Sequence, residues 1–267
     1  MNILPSLRSL AFLASLSPLL AMAAVSSDEA NSSNNPLNPA PGLNFQNYYS
    51  PDFYDTDYQR NDFLLRAASP LPPNAVVPVP QILRATLPVS TVDTGFQSET
   101  GLGDFNIFDI FLLKTKGTQL GIGPLITAPT ASDDLLGTGK WQAGLAAVVV
   151  QPSSKGLFAG LLQWQSSFAG DENRADVQTL TVQPLIIYNL PDGWYLRSTG
   201  IWTFDMANNH HYIPMGAGAG KVWKAGSVIM NGFVEPQWTV THDDGGVQPS
   251  FVVFAGLNLT FSSFGKK

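Results

Sequence analysis

Past residue 80, apolar and polar residues alternate along strand-length stretches, and the last of these is the plainest. Phe251, Val253, Ala255, Leu257, Leu259 and Phe261 share one face, while Val252, Phe254, Gly256, Asn258 and Thr260 share the other. Side chains change face at every residue of an extended chain, so this period of two predicts a β-strand. In 227–241, Val228, Met230, Val234, Trp238 and Val240 oppose Asn231, Glu235, Gln237, Thr239 and Thr241. Segment 193–205 sets Trp194, Leu196, Trp202 and Phe204 against Arg197, Thr199, Thr203 and Asp205, and 156–169 sets Phe158, Leu162, Trp164 and Phe168 against Gln163, Gln165 and Ser167. Segments 103–114 and 140–151 are more uniformly apolar, so their faces are less sharply defined.

Ten such segments are expected: 81–91, 103–114, 118–129, 140–151, 156–169, 176–189, 193–205, 211–223, 227–241 and 249–262. Most are long enough to cross a hydrocarbon layer when tilted. Their connections alternate in kind. Those at 93–103, 130–140, 170–176, 205–211 and 241–249 are longer and mostly acidic, whereas 114–118, 152–156, 189–193 and 223–227 are short and hold most of the nearby lysines. Long loops on one rim and tight turns on the other are the pattern of a closed antiparallel transmembrane barrel. The expectation is an all-β barrel of ten strands, or of twelve if part of 60–80 also pairs. Even parity puts both termini on one side, so the short turns face the periplasm and the acidic loops face outward. Trp141, Tyr188, Trp194, Trp202, Tyr212 and Trp223 fall near strand ends, where interfacial aromatic girdles belong. A soluble β-sandwich would instead use these aromatics as core.

The front of the chain reads differently. Arg8 precedes an apolar run over 10–20, and Ala21-Met22-Ala23 is a small-x-small cleavage site, so residues 1–24 are expected to be a signal peptide. The run is too short to span a bilayer and Pro18 interrupts it. Residues 25–80 are rich in Asn, Ser, Pro and Asp, with a Tyr/Phe cluster at 45–58 and prolines at 70, 72, 73, 78 and 80. Proline removes a ladder donor and fixes φ, which argues against a central strand. This stretch is expected to be a periplasmic leader, or a segment that tucks into the barrel as a plug. The barrel proper is then expected over 81–267.

Composition narrows the function. The chain has no cysteine, so no disulfide contributes. Its net charge of −6 and lack of a basic patch oppose nucleic-acid binding. No G-x-S-x-G, Walker or H-E-x-x-H motif occurs. An enzyme is not expected, and neither a cofactor nor a resident metal is implied. The best catalytic constellation would sit on the outer rim, from Asp205, His210, His211, His242, Asp243 and Asp244, since carboxylates beside histidine can activate water. Counting by twos places Arg84, Asp109, Arg197 and Glu235 inside the lumen, as a structural ion network or a constriction. Gly216, Gly218 and Gly220 share one face and would open space beside Arg197 and Glu235, or help a narrow barrel bend.

Four stretches resemble a bacterial outer-membrane family named for the meta-pathway of phenol degradation. They are Gly101-Leu102-Gly103-Asp104, then Gly137-Thr138-Gly139-Lys140-Trp141, the run 183–196 (QPLIIYNLPDGWYL), and the run 213–223 (IPMGAGAGKVW). The resemblance implies a barrel that helps take up aromatic or other hydrophobic compounds, and it supplies no site residues. The reading from sequence is therefore an outer-membrane barrel for passage of small, hydrophobic or aromatic solutes. Its expected partners are outer-membrane lipid, lipopolysaccharide and the barrel-assembly machinery. The alternatives are a non-conducting structural or ligand-binding barrel, and less favoured, a rim hydrolase.

Overall fold

The computed structural model describes residues 25–113, 115–243 and 247–261. The expected signal peptide (1–24), Lys114, Asp244 and the tail with Phe264, Lys266 and Lys267 lie outside them. One helix, α1 (Ser27–Asn34), precedes fifteen β segments. These are β1 (Gly42–Phe53), β2 (Gln59–Leu71), β3 (Gln81–Asp93), β4 (Ser98–Leu102), β5 (Phe105–Leu113), β6 (Gln119–Ala128), β7 (Lys140–Ser153), β8 (Gly156–Gly170), β9 (Gln178–Asn189), β10 (Trp194–Ser198), β11 (Trp202–Asp205), β12 (His210–Gly216), β13 (Gly218–Ala225), β14 (Val228–His242) and β15 (Pro249–Phe261). The pairs β4/β5, β10/β11 and β12/β13 each make one interrupted wall strand. Every pairing is antiparallel, and β15 pairs with β1, Gly42 opposite Thr260. The result is a closed antiparallel barrel of twelve strands.

Twelve strands, the alternative that required part of 60–80 to pair, is the count, rather than ten. The two added strands, β1 and β2, come from 42–71, within the stretch read as leader or plug, so the wall begins well before residue 81. Their alternation is real but muted by composition. Gln46 and Ser50 are buried inside the barrel, whereas Tyr49, Phe63 and Leu65 are exposed on its outside. The prolines that argued against a strand sit at the end of β2 (Pro70) or in the 72–80 turn, where they interrupt no central ladder.

The outer surface carries Ile122, Ile126, Leu145, Val149, Phe158, Leu162, Ile186, Leu196, Val234 and Trp238, all exposed. Such a band is a liability in water and is what a lipid-facing wall requires. Trp141, Tyr188 and Trp194 are exposed among the expected girdle positions, but Tyr212 turns inward to the lumen. Strand ends are joined six times on the rim opposite Gly42 (after β1, β3, β6, β8, β11 and β14), and five times on the Gly42 rim. We call these the loop rim and the turn rim. The length contrast is incomplete: 94–97 and 206–209 are tight, and 72–80 is long.

Helix α1 lies inside the turn-rim end of the lumen. Its start is set by a capping box, in which Ser26 Oγ accepts from Glu29 N and Glu29 Oε2 accepts from Ser26 N. Ala30 is 2 % and Leu37 3 % exposed, packed into the same cluster as the inward residues Ile82, Phe108, Ile110, Leu125, Val148, Ala159 and Leu161. Amides then tie this segment to the wall. Asn31 Nδ2 donates to Ser153 O at 2.8 Å, Asn189 Nδ2 to Asn31 Oδ1 at 2.9 Å, Asn35 Nδ2 to Gln119 Oε1 at 2.9 Å, and Asn231 Nδ2 to Asn34 Oδ1 at 3.0 Å.

Candidate functional site

Two spaces stand out in the lumen among the described residues. The upper one, about 740 Å³, opens toward the loop rim and is lined by Tyr48, Asp62, Thr127, Gln165, Tyr212, Gln237 and others. Loop 129–139 folds into its mouth with Leu136 buried. Asp104 Oδ2 holds the loop there, accepting from Thr138 N at 2.7 Å and from Thr138 Oγ1 at 2.8 Å. This contact joins the first two stretches that carry the family resemblance. The lower space, about 160 Å³, is bounded by Asn34, Asn35, Ile82, Arg84, Leu161, Leu185 and Arg197. Arg66 lines both spaces.

Arg197 and Glu235 meet in this lumen. Arg197 Nε donates to Glu235 Oε2 at 2.7 Å, with the two side chains 6 % and 0 % exposed. An ion pair so deeply buried needs every remaining donor and acceptor satisfied. Glu235 also accepts from Thr199 N (2.7 Å), Thr199 Oγ1 (2.8 Å) and Gln237 Nε2 (3.0 Å). The Arg197 guanidinium lies 3.6 Å over the Phe233 ring and 5.1 Å from that of Phe254. Tyr195 beside it donates to Asn231, which itself holds Asn34 of α1. The pair and the ties to the inserted helix thus occupy adjoining inward positions of β10 and β14.

The three glycines run along the strand between these partners. Register sets Tyr195 and Phe233 opposite Gly220, and Arg197 opposite Gly218. Gly216 faces Gln237, and a Cβ on it would meet the Glu235 carboxylate. A Cβ on Gly218 would lie 2.7 Å from that of Glu235, and one on Gly220 would strike the Tyr195 ring. The lack of side chains there lets groups from the two flanking strands meet across the strand between them.

Arg84 stays inside but joins no carboxylate; its guanidinium sits 4.2 Å over the Phe108 ring. Asp109 does not belong to the lumen. Its neighbours Phe108 (4 %) and Ile110 (1 %) are the buried, inward residues, and Arg84 lies opposite Phe108 across the β3–β5 ladder. The one-residue offset puts Asp109 on the outer face, opposite Leu83. Arg66, absent from the residues singled out by sequence, is inward. Alternation through 62–68 gives its face once β2 is recognised.

On the loop rim, His210 Nδ1 lies 2.8 Å from Asp243 Oδ1 and His211 Nδ1 3.1 Å from Asp243 Oδ2. His211 Nε2 is 3.3 Å from Thr241 Oγ1, and His242 stacks on Tyr54 at 3.8 Å. Asp205 is engaged elsewhere, accepting from Ala207 N, Asn208 N and Asn208 Nδ2. Asp244 lies outside the described residues. Among the described residues no group of three His, Asp or Glu side chains is arranged to hold a metal ion.

No protein-family model matches the sequence, and no curated protein matches it significantly. Solved structures do match. The crystal structure of an outer membrane channel from Pseudomonas putida F1 aligns with 85 % of this chain and 98 % of its own, at 14 % identity and a TM-score of 0.61. The NanC porin aligns with 83 % of this chain and 100 % of its own, at 8 % identity and a TM-score of 0.50. At such identities the likeness speaks for the fold: this chain has the barrel fold of outer-membrane channels and porins.

Proposed function

We propose that this chain is an outer-membrane channel through which small solutes, hydrophobic or aromatic ones among them, cross by way of the lumen. The observation that carries the reading is the pair of lumen spaces meeting at Arg66. A barrel that served only as a wall would gain from filling both. The exposed apolar band supports residence in a bilayer, and the barrel likeness to solved channels supports the outer membrane. Lipid and lipopolysaccharide around the wall, and the assembly machinery that inserts such barrels, are the partners this placement implies. The four stretches resembling the aromatic-uptake family favour aromatic cargo, as do Tyr48, Phe53 and Tyr212 in the upper lining.

The non-conducting barrel is the second reading, and it has an observation of its own. Helix α1 and a cluster of buried apolar residues occupy the turn-rim half of the lumen. Liposome swelling separates the two. Proteoliposomes of the folded barrel are expected to swell in small neutral solutes faster than empty liposomes. Equal rates, with the barrel shown folded by heat-modifiable migration, would overturn the channel reading.

A further inference from the structure

The lower lumen space carries positive charge that nothing in the described protein balances. Across β2 and β3, Arg66 lies opposite Thr86 and Ala68 opposite Arg84, so the two arginines take diagonal positions on the inward face. Diagonal neighbours in an antiparallel pair are about 7–8 Å apart, and like charges placed so close repel. The nearby carboxylates are engaged elsewhere. Glu235 holds Arg197, and Asp62 holds Arg60 at 2.7 Å and Ser90 at 2.6 Å. Arg66 reaches only the amide of Gln46. The Nε atoms of both Arg66 and Arg84 are buried without a hydrogen-bond partner. Buried donors are satisfied almost everywhere in folded proteins, and an exception asks for an acceptor not yet named.

The chemistry of that acceptor follows from the surroundings. A guanidinium presents Nε and Nη in a planar fork that matches the two oxygens of a carboxylate. The rest of the lining mixes amides with apolar carbon from Ile82, Leu161, Leu185 and Phe233. A cavity of about 150 Å³ accepts benzene, and this one is about 160 Å³. We propose that Arg66 and Arg84 form a binding site for a small organic carboxylate with an apolar or aromatic body. The carboxylate bridges the two unpartnered Nε–H groups while the body rests on the apolar wall. This names a substrate class for the proposed channel and rests on that reading only for the route by which the ligand arrives.

Benzoate is the probe. Isothermal titration of the folded full-length barrel in zwitterionic detergent is expected to show saturable benzoate binding. Benzamide, the same shape without the charge, binds at least tenfold more weakly. Arg84→Met weakens benzoate at least tenfold, and Arg84→Lys by less. Equal affinity for benzoate and benzamide, or unchanged benzoate affinity in Arg84→Met, overturns the site. So does full displacement of benzoate by equimolar chloride, which would mark a site for simple inorganic anions. If Arg84→Met does not fold, the comparison of benzoate with benzamide on the wild-type barrel decides. Binding is read without transport, so a barrel that binds benzoate yet fails the swelling test would lose the channel reading and keep the site.

Discussion

Arg197 reaches Glu235 across an intervening strand, and the two meet over Gly218, which carries no side chain to keep them apart. Removing one partner leaves the other buried and uncompensated, a change that costs about 3–5 kcal/mol. Glu235→Ala is expected to lose that much in urea unfolding of the folded barrel. The double change Arg197→Met with Glu235→Met is expected to lose clearly less. Additive losses in the double variant would show that the pair is not coupled.

Gly218→Ala tests the same relationship from below. The added carbon would sit 2.7 Å from Cβ of Glu235 and against the backbone carbonyl of Val234. Overpacking of this kind costs about 1–3 kcal/mol. A chemical-denaturation midpoint unchanged from wild type would mean the glycine serves neither the pair nor the wall. Gly226→Ala supplies no steric comparison, since its φ of +62° makes any side chain strained. Ala219→Val, on the same strand with the opposite face, is the better control and is expected to shift the midpoint little.

The helix inside the lumen has a pH-sensitive tie. Lys224 Nζ bonds Glu29, and that hydrogen bond, with the Ser26 backbone N–H, holds the Glu29 carboxyl below its ordinary value of 4.5. A group whose folded pKa is lowered contributes stability above its unfolded pKa and loses it as pH falls through the folded one. Acidification below 4.5 is therefore expected to loosen α1, read as lower amide-exchange protection over 27–34 relative to the intrinsic rate at each pH. Glu29→Gln should flatten that pH dependence. An identical profile in wild type and Glu29→Gln would refute the tie.

The rim offers a hydroxyl, an imidazole and a carboxylate in a row: Thr241, His211 and Asp243. The hydroxyl contact is long, Thr241 is exposed, and Asp243 is shared with His210. Hydrolysis of a chromogenic short-chain ester is expected at the same background rate in wild type and in Thr241→Ala. A rate that drops in the variant would favour the hydrolase reading over the channel.

The barrel was legible where lipid lies against one face. In β14 and β15 the outer residues must be apolar and the inner ones include Asn231, Glu235 and Gln237, so period two stands out. It was obscured in β1 and β2, where Asn, Gln, Tyr and Ser serve both faces and Pro70 closes the second strand. The face of Asp109 is not legible because β5 (FNIFDIFLL) is apolar on both faces. One charge then sets the phase wrongly, and the buried Phe108 and Ile110 correct it. The start of helix α1 has a sequence signal, since Ser26 and Glu29 are spaced as a capping box. Its burial inside the barrel was not legible. That depends on amide pairs such as Asn34 with Asn231, 197 residues apart in sequence.

Single-channel recording in planar bilayers asks whether ions pass through this lumen. The wild-type barrel is compared with a variant carrying Asn31→Ala, Asn34→Ala and Lys224→Met, which removes ties between α1 and the wall. Discrete conductance steps are expected, small in wild type and larger in the variant, because the segment that narrows the turn-rim end is released. Silence from both proteins, each shown folded by heat-modifiable migration, would contradict the channel reading.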